Sequence, residues 1–309
     1  MTTEEPSESE AQGRVPLTVV VATTQPWPEI RMCLESVHDQ AREVGAELIV
    51  VDGHGQGLPD SALKSYPQVT RLSMPGSSVL KMRAAAMARS RGDVVAVTED
   101  HCRVGSSWCR SILAAHARYP KAGVVGGVVH NGSDRRVIDW ASFFIVNGAS
   151  MPPVTNGPHA KVALQATVSY KRRVIPRDVP ELGRMEWMLN QDVRARGETL
   201  VSDDSIVVDH VQSFSFSEAC AIHYHDSRSI AGFRLERIDL LERALRLGVC
   251  FVMPPLLFVR TVAPILAKRR RLGWLAASMP MIGVLVVCRA AGAFVGFITG
   301  PGRSPLAIR

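Results

Sequence analysis

Two apolar runs rich in β-branched residues open the chain, Leu17 to Ala22 (LTVVVA) and Glu47 to Val51 (ELIVV), and between them Glu29 to Val44 carries apolar residues at helical spacing. That order predicts a βαβ unit. Continuous runs, as opposed to alternating ones, belong to strands buried on both faces of a parallel sheet. The pattern then repeats: Val79 to Ser90 is Ala/Met-rich and helical, Gly92 is placed to stop that helix, and Val94 to Thr98 (VVAVT) is the next strand. Val124 to Val129 and Val162 to Tyr170 predict further strands. The first hundred residues therefore form an α/β half of the nucleotide-binding type.

After Gly248 the pattern changes. Val249 to Ala267 and Leu272 to Ile298 are apolar and are separated by Lys268, Arg269, Arg270 and Arg271. Each is near the roughly 20 residues that cross a bilayer. The first contains Pro254, Pro255, Arg260 and Pro264, which predicts a broken helix and an interfacial or re-entrant segment. In the second, Arg289 is the one charge, and Gly292, Gly296 and Gly300 allow close helix packing. The positive-inside rule puts the basic loop and the α/β domain together on the cytoplasmic face. Two buried helices of a soluble core are the alternative. Met1 to Arg14 is acidic and polar, with no apolar run, and predicts a flexible tail and not a secretory signal. The expected division is a tail over 1–14, an α/β catalytic domain over 15–247 and membrane-associated helices over 248–309.

Composition narrows this modestly. A net charge of +7 suits nucleic acid, anionic lipid or a phosphorylated substrate alike. The basic residues gather beside the apolar tail without interleaved aromatics, which favours a membrane surface over nucleic acid. Six scattered cysteines with no CxxC pair read as reduced thiols.

Acidic residues fall where strands end: Asp52 follows ELIVV, and Glu99, Asp100 and His101 follow VVAVT. Ligands of open α/β sheets bind beyond the carboxyl ends of strands. A sugar diphosphate needs a divalent cation, and carboxylate with imidazole supplies ligands for one.

From Pro16 to His210 the order of LTVVVATT, VVDG, KMRAAAMARSRGDVVAVTEDH, VSYKR, EWMLNQDVRARG and VDH resembles the family 2 glycosyltransferases with a GT-A fold, and the ending RAAGAFVGFITGPG resembles the tail of a membrane-associated subset of that family. The resemblance implies a nucleotide-sugar donor, an acceptor glycan or lipid, and manganese or magnesium as cofactor. It places Ala22 and Thr23 at the nucleotide, Asp52 at the base and Arg83 at the diphosphate. The usual Asp-x-Asp metal motif aligns with Glu99, Asp100 and His101, a departure at both ends; His210 resembles a histidine that approaches the metal or diphosphate. Glu186 aligns with the general base of inverting members, with Asp192 as rival. Each has a plain alternative: Asp52 as a turn residue, Arg83 as an exposed helix arginine, Glu99 to His101 as a solvated loop, Glu186 as a helix-start glutamate, His210 as a strand-end histidine. The absence of a Gln-x-x-Arg-Trp pattern after Glu186 implies one sugar per encounter. His223 and His225, on one face if AIHYHDSR is a strand, are expected at the acceptor or diphosphate, and Trp140 to Lys161 is an expected acceptor loop.

ATTQPWP stands at the first turn where a dinucleotide-binding oxidoreductase needs GxGxxG, so that class is excluded. A non-catalytic nucleotide-sugar or lipid binding module on the same fold remains the second reading.

Overall fold

The computed structural model describes residues 13–158, 166–176 and 186–308. One nine-stranded sheet runs in the order β3-β2-β1-β4-β8-β6-β9-β5, with β7 paired to β9. The strands are β1 (Val15–Thr23), β2 (Glu47–Asp52), β3 (Val69–Ser73), β4 (Gly92–Glu99), β5 (Cys102–Val104), β6 (Ala122–Asn131), β7 (Gly157–Pro158), β8 (Val168–Lys171) and β9 (Thr199–His210). β1 to β4 are mutually parallel where they pair, and β8 runs antiparallel to both β4 and β6. The β-branched side chains of β1, β2 and β4 are almost wholly buried, which is why their sequences are continuous and not alternating.

Among the described residues the α-helices are α1 (Arg31–Glu43), α2 (Asp60–Leu63), α3 (Val79–Arg89), α4 (Trp108–Arg118), α5 (Val137–Asn147), α6 (Glu186–Ala195), α7 (Phe216–Arg234), α8 (Leu240–Lys268) and α9 (Leu272–Thr299). The chain divides into two compact units. The first holds 1–75, 80–128 and 155–208; the second holds 76–79, 129–154 and 209–309.

In the first unit, Gly92 does not stop a helix. α3 has already ended at Arg89, and Gly92 opens β4 where a Cβ would lie 2.4 Å from the backbone nitrogen of Thr18. Its requirement is close strand approach. Of the strand expected over 162–170, residues 162–165 lie outside the described residues and the rest ends in β8.

In the second unit, α8 is one continuous helix of 29 residues despite Pro254, Pro255 and Pro264. Each proline removes one ladder hydrogen bond, but the expected break does not occur because the remaining ladder and the packing of α8 on α9 hold the axis. α9 lies against α7 through small residues: a Cβ on Gly292 would sit 2.1 Å from the Tyr224 carbonyl oxygen, and one on Gly296 would sit 2.5 Å from that of Arg228. Gly300 plays no such part; it ends the helix at φ 76°. Trp274 of α9 stacks on Trp140 of α5 with centroids 5.7 Å apart. Trp140 therefore belongs to a helix, not to the expected loop. His223 and His225 are also helical, on α7, which begins with a capping box between Ser215 and Glu218. Two residues apart on a helix, they face different ways. His223 donates through Nε2 toward Ser142 Oγ (3.0 Å) and accepts from Arg289 at Nδ1 (3.2 Å), and Arg289 pairs with Asp226 at 2.8 Å. His225 meets Ser304 Oγ at 2.9 Å. The single charge of α9 is thereby neutralised inside the protein.

Candidate active site

The carboxyl edge of the parallel half-sheet gathers the acidic residues because register aligns the strand ends. Ala22 stands between Val51 on one side and Glu99 on the other, and Thr23 is opposite Asp52. Asp52 and Glu99 thus flank the end of β1, and both side chains are buried.

Asp52 is fully occupied by its own loop. Oδ1 accepts from the backbone N–H of His54 (3.0 Å) and Gly55 (2.7 Å), and Oδ2 from Gly57 (3.0 Å) and Leu58 (3.3 Å). Beside it, Thr23 Oγ1 accepts from Gln25 N at 3.1 Å. These bonds fix the backbone of residues 53–58 along the mouth of the edge.

Glu99 is held differently. Arg83 of α3, 4% exposed, donates from Nη2 to Glu99 Oε1 at 3.1 Å. It is not an exposed helix arginine. The chain turns immediately after Glu99, so Asp100 and His101 fold back on it: His101 Nδ1 is 2.9 Å from Asp100 Oδ1, and Nε2 is 3.5 Å from Glu99 Oε2. Burial alone would lower the His101 pKa; the hydrogen bond that the ring donates to Asp100 and the charges of Glu99 and Asp100 outweigh it and raise the pKa. Both carboxylates are about as buried as Arg83, so this is no solvated loop.

Donor atoms of Glu99, His101 and Cys102 lie within 4.8 Å of one another, close enough to share a cation. The thiol fits that role worst. Burial, then the neighbouring Glu99 charge, raise the Cys102 pKa well above its usual range, and the thiolate is the ligand form. The Cys33 thiol of α1 is likewise raised, by burial first and then by Asp100 and Glu99. Two neutral thiols therefore back the acidic cluster, leaving oxygen and imidazole as donors, the set that manganese and magnesium accept. Sequence reasoning missed both cysteines as neighbours of the site, although Cys102 directly follows the EDH triplet.

α6 begins at Glu186, whose side chain lies outside the described residues. Four residues on, Asn190 is 6% exposed and its Oδ1 has no hydrogen-bond partner among the described residues, an acceptor that the sequence did not single out. His210 ends β9 in the second unit, where it lines a small pocket with Asn131, Asp139, Asn147 and Gln212.

A parallel half-sheet with buried carboxylates at its carboxyl edge, followed by an antiparallel strand and a mixed remainder, is a GT-A fold. A solved structure agrees on this. The mannosyltransferase PcManGT from Pyrobaculum calidifontis, solved in complex with GDP-Man and Mn2+, superposes with a TM-score of 0.57 at 14% identity, over 91% of this chain and 87% of that one. Residues 1–349 of TarS from S. aureus give 0.49 at 12% identity, over 88% and 90%. The model of glycosyl transferase family 2 matches residues 18–179, more than half of the sequence, and the chain belongs to that family. No curated protein matches it.

Proposed function

We propose that this glycosyltransferase moves a hexosyl group from a nucleotide-sugar donor to a hydroxyl of a glycan or lipid at a membrane surface, with inversion and one sugar per encounter. The observation that carries the reading is the buried cluster of Arg83, Glu99, Asp100 and His101 one strand away from the Asp52 loop. Glu99 and His101 are the proposed ligands of a manganese or magnesium ion, which when bound neutralises the departing diphosphate. Asp100 faces the donor, and Arg83 holds Glu99 in place while its charge favours the diphosphate.

Ala22, Thr23 and the loop organised by Asp52 receive the nucleotide. Because both Asp52 oxygens already accept backbone bonds, its contribution to the base is to present that loop. Glu186 takes the proton of the acceptor hydroxyl as it attacks the anomeric carbon, a role that asks for hydrogen-bond reach and an ionised carboxylate. The α/β domain works on the cytoplasmic side.

A donor screen with manganese, read as nucleotide release and by mass analysis of lipid and glycan products, is the direct test. Glu186→Gln should abolish transfer while donor affinity stays within about twofold; equal loss of both removes Glu186 as base. His101→Ala should weaken donor binding only with metal present. Retained donor binding with no turnover of any sugar would instead identify a binding module.

A further inference from the structure

α8 and α9 are nearly matched in length and apolarity, yet their surroundings differ. α9 is enclosed on several sides. α7, which carries Glu218, Asp226, Arg228 and Arg234, runs along its glycine face; Trp140 of α5 stacks on Trp274; and Arg289 is paired to Asp226. A helix so wrapped cannot be ringed by lipid without carrying those charges into hydrocarbon.

α8 is open along one stripe. Leu241, Leu245, Val249, Val252, Leu256, Val259, Ala263 and Leu266 recur at steps of four and three, the spacing of one helical face, and all are exposed, Leu245 by 63% and Val259 by 60%. Phe251, 77% exposed, flanks them. Arg260 stands at the margin of the stripe, where its long stem can lie along the apolar face with the charge in water.

The turn joining α8 to α9 is made of Arg269, Arg270 and Arg271, all exposed. Arg269 (φ 52°) and Arg271 (φ 57°) adopt the left-handed conformation, where glycine would cost less. Neighbours account for only part of this charge. Lys268 donates to the carbonyls of Ala149, Met151 and Pro153, and Arg271 lies 5.5 Å over the Trp140 ring. Arg269 and Arg270 remain exposed at the tip, Arg269 in a conformation that disfavours it.

We propose that α8 lies flat in one leaflet of an anionic membrane, its apolar stripe among the acyl chains and the Arg269–Arg270 tip on lipid phosphates, while α9 is an internal support that never crosses. The complementarity of an apolar stripe ending in a basic tip selects an anionic bilayer over a second copy of the chain, whose identical tip would repel. This deepens the membrane-proximal acceptor reading. It is tested without any donor, so either can fail alone.

The full chain is sedimented with vesicles of phosphatidylcholine and of phosphatidylcholine mixed equally with phosphatidylglycerol. It should partition strongly onto the anionic vesicles only. The double change Arg269→Gly and Arg270→Gln should weaken that partition roughly thirtyfold, since each arginine near an anionic surface contributes about 1 kcal/mol, a factor of about five. Its thermal midpoint should not fall, which separates loss of lipid contact from loss of fold. Leu245→Asp with Leu256→Asp should abolish binding to the anionic vesicles.

Cysteines introduced at Glu236 and Arg270 report topology, because both should react with an impermeant maleimide from outside the vesicle, beyond the labelling of the parent chain. Labelling at one end alone means that α8 spans and overturns the proposal. So does a stable dimer that ignores vesicles, or equal binding with and without phosphatidylglycerol.

Discussion

Asp52 and Glu99 end neighbouring strands on either side of β1, and both are buried acids, yet they are held in opposite ways. Asp52 receives four backbone N–H groups of its own loop, so its charge is dispersed into structure. Glu99 shares a small volume with Asp100, His101 and Arg83, all side chains that can change partners when a ligand arrives. The comparison teaches that burial of a carboxylate at a strand end does not mark chemistry by itself. What marks it is whether the partners are fixed amides or other titratable groups.

Breaking the Asp52 side should have the largest effect. Asp52→Ala leaves four N–H groups without their acceptor and should cost about 3 kcal/mol or more in a urea melt, with the 53–58 loop losing amide-exchange protection. A smaller cost, about 2 kcal/mol, is expected for Glu99→Gln, because Arg83 keeps a neutral acceptor; manganese-dependent donor binding should suffer far more than stability does. If stability and binding fall together at Glu99 and separately at Asp52, the contrast is the reverse of the one drawn.

The histidines sharpen the same point. His116 and His223 are buried, and burial first, then nearby cations (Lys171 and Arg173 for His116, Arg289 for His223), push both pKa values down to about 3. The folded state therefore refuses protons that the unfolded chain takes up below about pH 6.5. Stability should be full above that pH and fall toward pH 3, by up to about 1.4 kcal/mol per unit for each histidine. His116→Gln, which can still donate to Ser169 Oγ as His116 does at 2.9 Å, should flatten that slope by about half; an unchanged slope would show that His116 titrates in the fold.

Much of the fold was legible because its strands are buried on both faces: LTVVVA, ELIVV and VVAVT fall inside β1, β2 and β4. The positions of the candidate residues on that edge were legible for the same reason, since a strand end fixes where its last side chain stands. What was not legible depended on partners distant in sequence. β3, on the sheet edge, is too polar in VTRLS to announce a strand. AIHYHDSR alternates like a strand, and only the Ser215 to Glu218 capping box ahead of it signalled a helix. Gly92 looks like a helix stop until Thr18 is seen against it. The donors to Asp52 belong to a loop whose glycines at 53, 55 and 57 hinted at turns without naming what they surround.

The way the second unit is threaded bears on how this protein can be handled. Its residues come from 129–154 as well as from 209–309, and Trp140, Val137 and Gly148 of the earlier segment meet Trp274, Ser278 and Ile265 of the apolar helices. Trimming the chain at Gly248 to obtain a detergent-free catalytic fragment should therefore strip the cover from the α5 aromatics and yield aggregate, where an intact chain bearing polar substitutions on the α8 stripe should stay in solution and keep its shape.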